Sequence, residues 1–356
     1  MGAYRSHERI EAWGVLAVSL LPEARTTPLI IAEIGAKYAS LDIMQQMVQA
    51  AKECGADLVK FQTYQAETIS TPGATFTMED GSIISQYDFF KAYELSEADH
   101  AALDDFCRDI GIGWLSTPSH PNDVTLLERF DPPAYKTGSD DLTNLPFLRY
   151  IAEQGRPMIV STGMCTLGEV ERAVETIVAA GNQNLVLLHC VVSYPARAED
   201  ANLRAIQTLQ QAFGFPVGLS DHTTDEFTSV LATALGAVVI EKHLTLDHAL
   251  KLPDHQASLD PTAFRRLVER VRLVPAALGD GVKRILPTEE KWRRAARKSL
   301  FAIVDIPAGT RIEPDYLTIR RPADGIHPHH LELVIGRSAR TDIPAGALIA
   351  WNMLSD

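Results

Sequence analysis

From Pro28 onward the chain alternates short, β-branched apolar runs with stretches of helical period. The first run is Leu29-Ile30-Ile31-Ala32-Glu33-Ile34-Gly35. Ser40 then stands as the cap of a helix whose apolar residues Met44, Met47, Val48 and Ala51 follow i, i+3, i+4, i+7, with Gly55 as its stop. Further strand-like runs are predicted at 57–62, 113–118, 134–139, 157–162, 185–190, 216–222 and 237–243. The last helix takes Asp260 as cap and Pro261 in its first turn, with Phe264, Leu267, Val268 and Val271 on one face. Continuous apolar strands separated by helices predict a parallel sheet covered on both sides. Eight such units in about 250 residues fit a closed (β/α)8 TIM barrel. No GxGxxG follows the first strand, which argues against an open dinucleotide-binding sheet.

Two gaps in the pattern are long, 63–96 after the second strand and 244–260 after the eighth. Both read as βα loops, on the face where barrel enzymes keep their active sites. Past Gly281 the pattern changes. A linker over 281–297 carries Lys283, Arg284, Lys291, Arg293, Arg294 and Arg297, offset by Glu289 and Glu290. Beyond it, Asp305-Ile306-Pro307-Ala308-Gly309 recurs as Asp342-Ile343-Pro344-Ala345-Gly346. The repeat predicts two similar β-turn units in a small, mostly-β, pseudo-symmetric domain over 298–356. The barrel is expected over 28–280, with 1–27 as an N-terminal extension.

Composition narrows the function. The 356 residues are 46% hydrophobic and 22% charged, and 33 basic residues against 46 acidic ones give a net charge of −13. That balance argues against a general nucleic-acid or anionic-membrane binder, while leaving room for a locally basic pocket. The basic linker lacks interleaved aromatics and reads as a solvated face or a strip that meets a partner subunit. Cys54, Cys107, Cys165 and Cys190 show no CxxC spacing, the usage of reduced cytosolic thiols. The apolar stretch from Trp13 to Leu21 is far shorter than the ~20 residues a membrane span needs. Glu8 and Glu11 crowd its basic flank and no small-residue cleavage site follows, so a cytoplasmic protein is expected.

The strand ends carry the chemistry. They bring Glu33, then Lys60 and Gln62, Thr117, Lys136 with Ser139, Ser161 with Thr162, His189, Ser220-Asp221-His222, and Glu241-Lys242-His243. One ionisable group at a rim is often a salt bridge. A ring of them pays repeated desolvation, which points to an active site. His222 and His243 end adjacent strands, about 4.8 Å apart, and suit a divalent cation such as Mn2+ with open positions for substrate. Mg2+ and Co2+ are the alternatives. Lys60 and Lys136, with Thr117, Ser139 and Ser161, offer charge and directional hydrogen bonds for a phosphate and a carboxylate. The competing reading pairs both lysines with Glu33 or Glu241, and the two readings can coexist.

In order along the chain, Ile31-Ala32-Glu33-Ile34-Gly35, Val59-Lys60-Phe61-Gln62-Thr63, Ser116-Thr117-Pro118, Tyr135-Lys136, Ser161-Thr162-Gly163-Met164, Ser220-Asp221-His222-Thr223, Ile240-Glu241-Lys242-His243 and Pro253-Asp254-His255 resemble the motifs of the sialic acid synthase family. The segment from Arg297-Lys298-Ser299 through Arg321-Pro322 to Ile349 resembles that family's C-terminal antifreeze-like (SAF) domain. The resemblance implies condensation of phosphoenolpyruvate with an N-acyl mannosamine-type sugar, giving a nine-carbon 2-keto acid and phosphate. N-acetylneuraminate is the first product to expect, legionaminate or another sugar acid the second. It further implies a metal on His222 and His243, and phosphoenolpyruvate on Lys60, Thr117, Lys136, Ser139 and Ser161. Glu33, Gln62, Tyr194 and Asp254 would hold the sugar, Glu33 as the proton-transfer group, with Glu241 among the substrate-binding residues. Arg321 would reach the other subunit's mouth in a domain-exchanged homodimer.

Three positions depart from the family's pattern. Ala36-Lys37-Tyr38-Ala39 replaces an Asn-His-Asn-Gly-like loop, and Lys37 is a candidate compensating charge. Val192 stands where a hydrogen-bonding side chain is usual, and Asp140-Asp141 where Gly-Glu is common. A lost neutral hydrogen bond costs about 0.5–1.5 kcal/mol, which weakens binding without abolishing it. Two other readings remain open here: a metal-dependent aldolase or other phosphoenolpyruvate-using synthase, and a non-catalytic carbohydrate-binding scaffold.

Overall fold

Eight parallel strands close into a barrel: β1 (Leu29–Gly35), β2 (Leu58–Thr63), β3 (Gly113–Pro118), β4 (Tyr135–Thr137), β5 (Met158–Ser161), β6 (Leu185–Cys190), β7 (Val217–Asp221) and β8 (Val239–His243). They neighbour one another in chain order, and β1 pairs with both β2 and β8 to shut the ring. The computed structural model describes residues 26–37, 40–77, 81–248, 255 and 257–356. These divide into two compact units, one ending at Gly279 and one running from Asp280 to Asp356.

The main helices are α1 (Leu41–Cys54), α2 (Glu97–Ile110), α3 (Pro121–Leu127), α4 (Leu145–Glu153), α5 (Leu167–Ala179), α6 (Arg204–Phe213), α7 (Phe227–Ala234) and α8 (Pro261–Leu278). The Ser40 hydroxyl accepts the Ile43 amide to start α1, and Gly55, at φ 92°, ends it in a conformation that a side chain would strain. Asp260 does the same work for α8, accepting the Ala263 amide at 2.8 Å. The predicted helix faces, Met44, Met47, Val48 and Ala51 on α1 and Phe264, Leu267, Val268 and Val271 on α8, are buried in the layer between sheet and helices. Among the described residues no helix is long and apolar enough to cross a membrane.

Strand parity sorts every side chain into one of two environments. Leu29, Ile31, Leu115, Ile159, Val186, Leu188 and Val239 point inward and form a separate apolar cluster, the floor of the barrel. Along the same inward rows, the next positions toward the strand C-termini are polar. Glu33 follows Ile31, Thr117 follows Leu115, Ser161 follows Ile159, and Glu241 follows Val239. This switch from apolar to polar within a row places the site.

The segment 63–96 is more than a loop. It contains a short helix, Ala66–Ile69, a small antiparallel hairpin, Thr75–Thr77 with Ile83–Ser85, and a second helix, Gln86–Tyr93. Their elements of three to eight residues are too short for periodicity to reveal.

The second unit is built on two short antiparallel pairs, Ser299–Ala302 with Leu317–Arg320 and Ser338–Ala339 with Leu354–Ser355. Its two copies of the five-residue repeat clasp each other. Ile306 and Ile343 exchange amide–carbonyl bonds of 2.8 and 2.9 Å. Asp342 accepts the Ala308 amide and Asp305 the Ala345 amide, both at 2.8 Å. This reciprocal set is the pseudo-symmetry that the repeat predicts. The buried core beneath it includes Leu300, Ile306, Ile312, Ile343 and Ile349.

Candidate active site

A cavity of about 280 Å³ opens at the C-terminal ends of the barrel strands. Eleven residues singled out from the sequence line it together: Glu33, Lys60, Gln62, Thr117, Lys136, Ser139, Ser161, Tyr194, His222, Glu241 and His243. Asp254 lies outside the described residues. Arg321 belongs to the second unit, where it is exposed just past the strand Leu317–Arg320.

Two ammonium groups sit on the cavity floor, each beside a carboxylate. Lys60 Nζ is 2.8 Å from Glu33 Oε2 and 3.2 Å from Thr117 Oγ1. Lys136 Nζ donates to Ser161 Oγ at 2.6 Å and to the Thr137 carbonyl at 2.9 Å. Glu241 lies between the lysines, 3.8 Å from each, and accepts the Ser220 hydroxyl at 3.0 Å. Burial opposes ionisation of Glu241, yet Lys136 and Lys60 outweigh it and hold the carboxyl below the usual range. Burial likewise lowers the pKa of Lys136, with Glu241 pulling it back. The lysines are thus paired with carboxylates, as the competing reading has it, and both line the open cavity. Taking an ion out of water costs several kcal/mol, and hydrophobic replacements of such pairs are often neutral or stabilising. Stability alone does not account for a floor of this kind.

On the opposite side the imidazoles of His222 and His243 approach with ring centroids 5.4 Å apart, and Tyr194 packs on His222 at 4.2 Å. His222 Nδ1 faces the Val191 carbonyl at 2.8 Å, which assigns the proton to Nδ1 and leaves the Nε2 lone pair available. Burial first, and then the neighbouring His243, push the His222 pKa down to about 4, so the ring is neutral near pH 7. Two imidazoles, one with a backbone carbonyl behind it, fit a divalent cation with open coordination positions. Among the described residues no group of three or more His, Cys, Asp or Glu side chains gathers to hold a metal.

Gln62 Nε2 donates to Glu33 Oε1 at 2.9 Å, fixing that carboxylate. Across the barrel, Ser139 Oγ accepts the Gly163 amide at 3.0 Å. A Cβ on Gly163 would stand 2.7 Å from both Ser139 Oγ and Val192 Cγ2, so only glycine fits this corner. Val192 thus packs on the corner and leaves an apolar patch there.

Parity corrects four residues of the strand-end ring. His189, Asp221, Thr162 and Lys242 point away from the cavity. His189 Nε2 bonds the Ala201 carbonyl, and Thr162 Oγ1 the Leu188 carbonyl. Lys242 is fully buried, 3.0 Å from Asp221 Oδ2, and Asp221 also accepts Thr223, Thr228 and Ser229. Lys37 does not supply charge to the cavity either, because its ammonium is 2.9 Å from Asp99. Tyr38 and Ala39 lie outside the described residues. Sequence reasoning missed Tyr64, Ile69, Phe90 and Met164, which also line the cavity. Tyr64 was within reach, since it continues the inward row of Lys60 and Gln62.

Comparison with known proteins agrees with this geometry. Residues 47–283 match the NeuB family and residues 297–355 match the SAF domain. The chain is 38% identical over 334 residues to the N,N'-diacetyllegionaminic acid synthase of Legionella pneumophila, covering 91% of this chain and 94% of that one. It is 38% identical over 300 residues to the N-acetylneuraminate-9-phosphate synthase of Mus musculus, covering 82% of each. The crystal structure of an N-acetylneuraminic acid (sialic acid) synthetase from Leptospira borgpetersenii superimposes with a TM-score of 0.67 at 30% identity, over 75% of this chain and 90% of that one. With an eight-stranded barrel, a polar cavity at its mouth and a small β unit carrying the repeat, the chain belongs to the NeuB family and ends in a SAF domain.

Proposed function

We propose that the protein is a nonulosonate synthase, joining phosphoenolpyruvate to the open-chain form of an N-acyl mannosamine-type sugar. Water is consumed, and the products are a nine-carbon 2-keto sugar acid and inorganic phosphate. N-acetylneuraminate is the first product proposed. A legionaminate-type acid is the second, favoured by the relative matched over 91% of the chain. The observation that carries the reading is the facing arrangement itself: two buried ammonium groups flanked by hydroxyls on one side, two imidazoles on the other, in one cavity.

Phosphoenolpyruvate is a small trianion, and the floor suits it. Lys60 and Lys136 supply charge, while Thr117, Ser139 and Ser161 supply directional hydrogen bonds. Its arrival favours the ammonium form of Lys136 that burial opposes. A divalent cation, Mn2+ first, held by His222 and His243 would polarise the acceptor's aldehyde. Glu33, oriented by Gln62, is the group proposed to move the proton at the acceptor oxygen. The enol carbon bonds to the aldehyde carbon, water adds at C2, and the C2–O bond to phosphate breaks. Holding both reactants in one closed pocket removes translational entropy, worth up to about 7–11 kcal/mol in well-oriented cases. Arg321 belongs to the same reading, as the acyl-group contact completed in a homodimer.

The test is phosphate release with Mn2+, phosphoenolpyruvate and a panel holding N-acetylmannosamine and a 2,4-diacetamido-trideoxy hexose. Folded protein that releases no phosphate with any acceptor refutes the reading. The metal is tested separately by calorimetric titration of Mn2+. His243→Ala is expected to lose the binding heat and turnover while keeping its melting temperature, and an unchanged isotherm refutes the cation assignment.

A further inference from the structure

The second unit carries His327-Pro328-His329-His330, a tight turn that leads into the short helix Leu331–Val334. His327 enters it in extended backbone, the ring of Pro328 fixes φ between the first two histidines, and the His330 amide closes the turn on the His327 carbonyl at 3.0 Å. The rings of His327 and His329 stand 5.6 Å apart at 22°, and His330 packs on His329 at 3.8 Å. His330 also meets Trp351, from the turn Trp351–Met353, edge-on at 5.7 Å. Arg337 lies 5.9 Å over the same indole, with its charge offset by Asp356 at 2.8 Å.

Elsewhere in the chain, His100, His189 and His222 each face a backbone carbonyl, at 2.8, 2.7 and 2.8 Å, and His255 the Thr245 hydroxyl at 2.6 Å. Among the described residues no hydrogen bond reaches the imidazole nitrogens of His327, His329 or His330. Packing these rings together costs part of their hydration and returns no hydrogen bond, and a shared cation supplies the missing partner. The spacing selects the pair. A cation held about 2.0–2.1 Å from each nitrogen sets two imidazole centres about 4.5–6 Å apart. His327 and His329 fall within that span, close to the 5.4 Å between His222 and His243. The 3.8 Å between His329 and His330 is too tight, so His330 braces His329 and is itself packed on Trp351. A two-donor site is in keeping with the lack of any gathered trio among the described residues. Two imidazoles with open positions suit Zn2+ or Ni2+, whereas Mg2+ keeps oxygen ligands.

We infer that His327 and His329 form a second cation site, within the SAF unit, for a divalent metal of the Zn2+ or Ni2+ class. A cation bound there pins the turn 327–330. The site uses no residue of the barrel and stands apart from the synthase reading. Calorimetric titration of the full chain with Zn2+ tests it, in a His243→Ala background that removes the cation pair proposed in the barrel. One equivalent of Zn2+ is expected to bind in that background, and Mg2+ to give no heat. Adding His329→Ala, or separately His327→Gln, is expected to weaken the zinc event at least about tenfold with an unchanged circular dichroism spectrum. His329 is exposed and His327 half-buried, so both variants keep the fold. No zinc heat in His243→Ala, or an isotherm that neither added substitution changes, overturns the site. Wild type is expected to take two equivalents. If the barrel pair binds nothing, wild type and His243→Ala take the same single equivalent, and its loss in His329→Ala still establishes this site.

Discussion

Lys242→Met separates scaffold from chemistry at a residue next door to both Glu241 and His243. The Lys242 ammonium is fully buried behind the barrel, 3.0 Å from Asp221 and bonded to the Thr223 carbonyl. Removing it strands the Asp221 carboxylate, 3% exposed, with hydroxyl and amide donors but no counter-charge. Breaking one half of a buried pair costs about 3–5 kcal/mol. For a unit of this size each kcal/mol lowers the melting temperature by about 2–4 °C, so a fall of about 6–20 °C is expected. Asp221→Asn combined with Lys242→Met removes the lone charge and is expected to regain more than half of the loss. The assay is thermal unfolding by circular dichroism, with phosphate release measured on the folded fraction at a temperature below both transitions. A melting temperature within 2 °C of wild type, or lost turnover in a variant of unchanged stability, would mean that Lys242 faces the cavity after all.

Two further changes test other parts of the molecule. Gly163→Ala should lower the affinity for phosphoenolpyruvate and cost about 1–3 kcal/mol of stability, because the new methyl meets Ser139 and Val192 at 2.7 Å; wild-type KM and melting temperature would disprove the crowding. Asp123 is 2% exposed, and burial pushes its pKa up to about 6, against the pull of the Ser119 and His120 amides. A carboxyl raised in the fold takes up its proton earlier than in the unfolded chain. Its contribution to stability therefore grows as pH falls from above 6 toward 4. Asp123→Asn should then stabilise by about 2–3 kcal/mol at pH 8 and by almost nothing at pH 4, followed by urea unfolding at both values.

Much of this architecture is legible in the chain because its two signals do not compete. Short apolar runs such as Leu29–Gly35 and Leu185–Cys190 stand apart from the 3.6-residue rows of α1 and α8, and their bounds agree with the structure to the residue. The site is legible because Glu33, Lys60, Lys136 and Glu241 break apolar strands, where a charge is expensive. What the strand-end pattern conceals is facing. Glu241-Lys242-His243 looks like one cluster in sequence, yet alternate residues point to opposite sides of a strand. The register beside β7, where Glu241 pairs with Ser220 and Lys242 with Asp221, gives each its own partner on its own side. Phe90, in the segment 63–96, is hidden for another reason. It sits in an eight-residue helix placed by tertiary bonds from the Lys37 amide and Glu67, contacts that no local pattern encodes.

In the small C-terminal unit, Asp305 serves Ala345 while Asp342 serves Ala308. Each turn is thus completed by its twin instead of by its own neighbours, and neither copy is a finished structure alone. Opening new chain ends between the twins would leave these cross-bonds intact, whereas deleting either twin would undo both. The duplicated segment behaves as a lock and its own key, and the two copies are bound to change together or not at all.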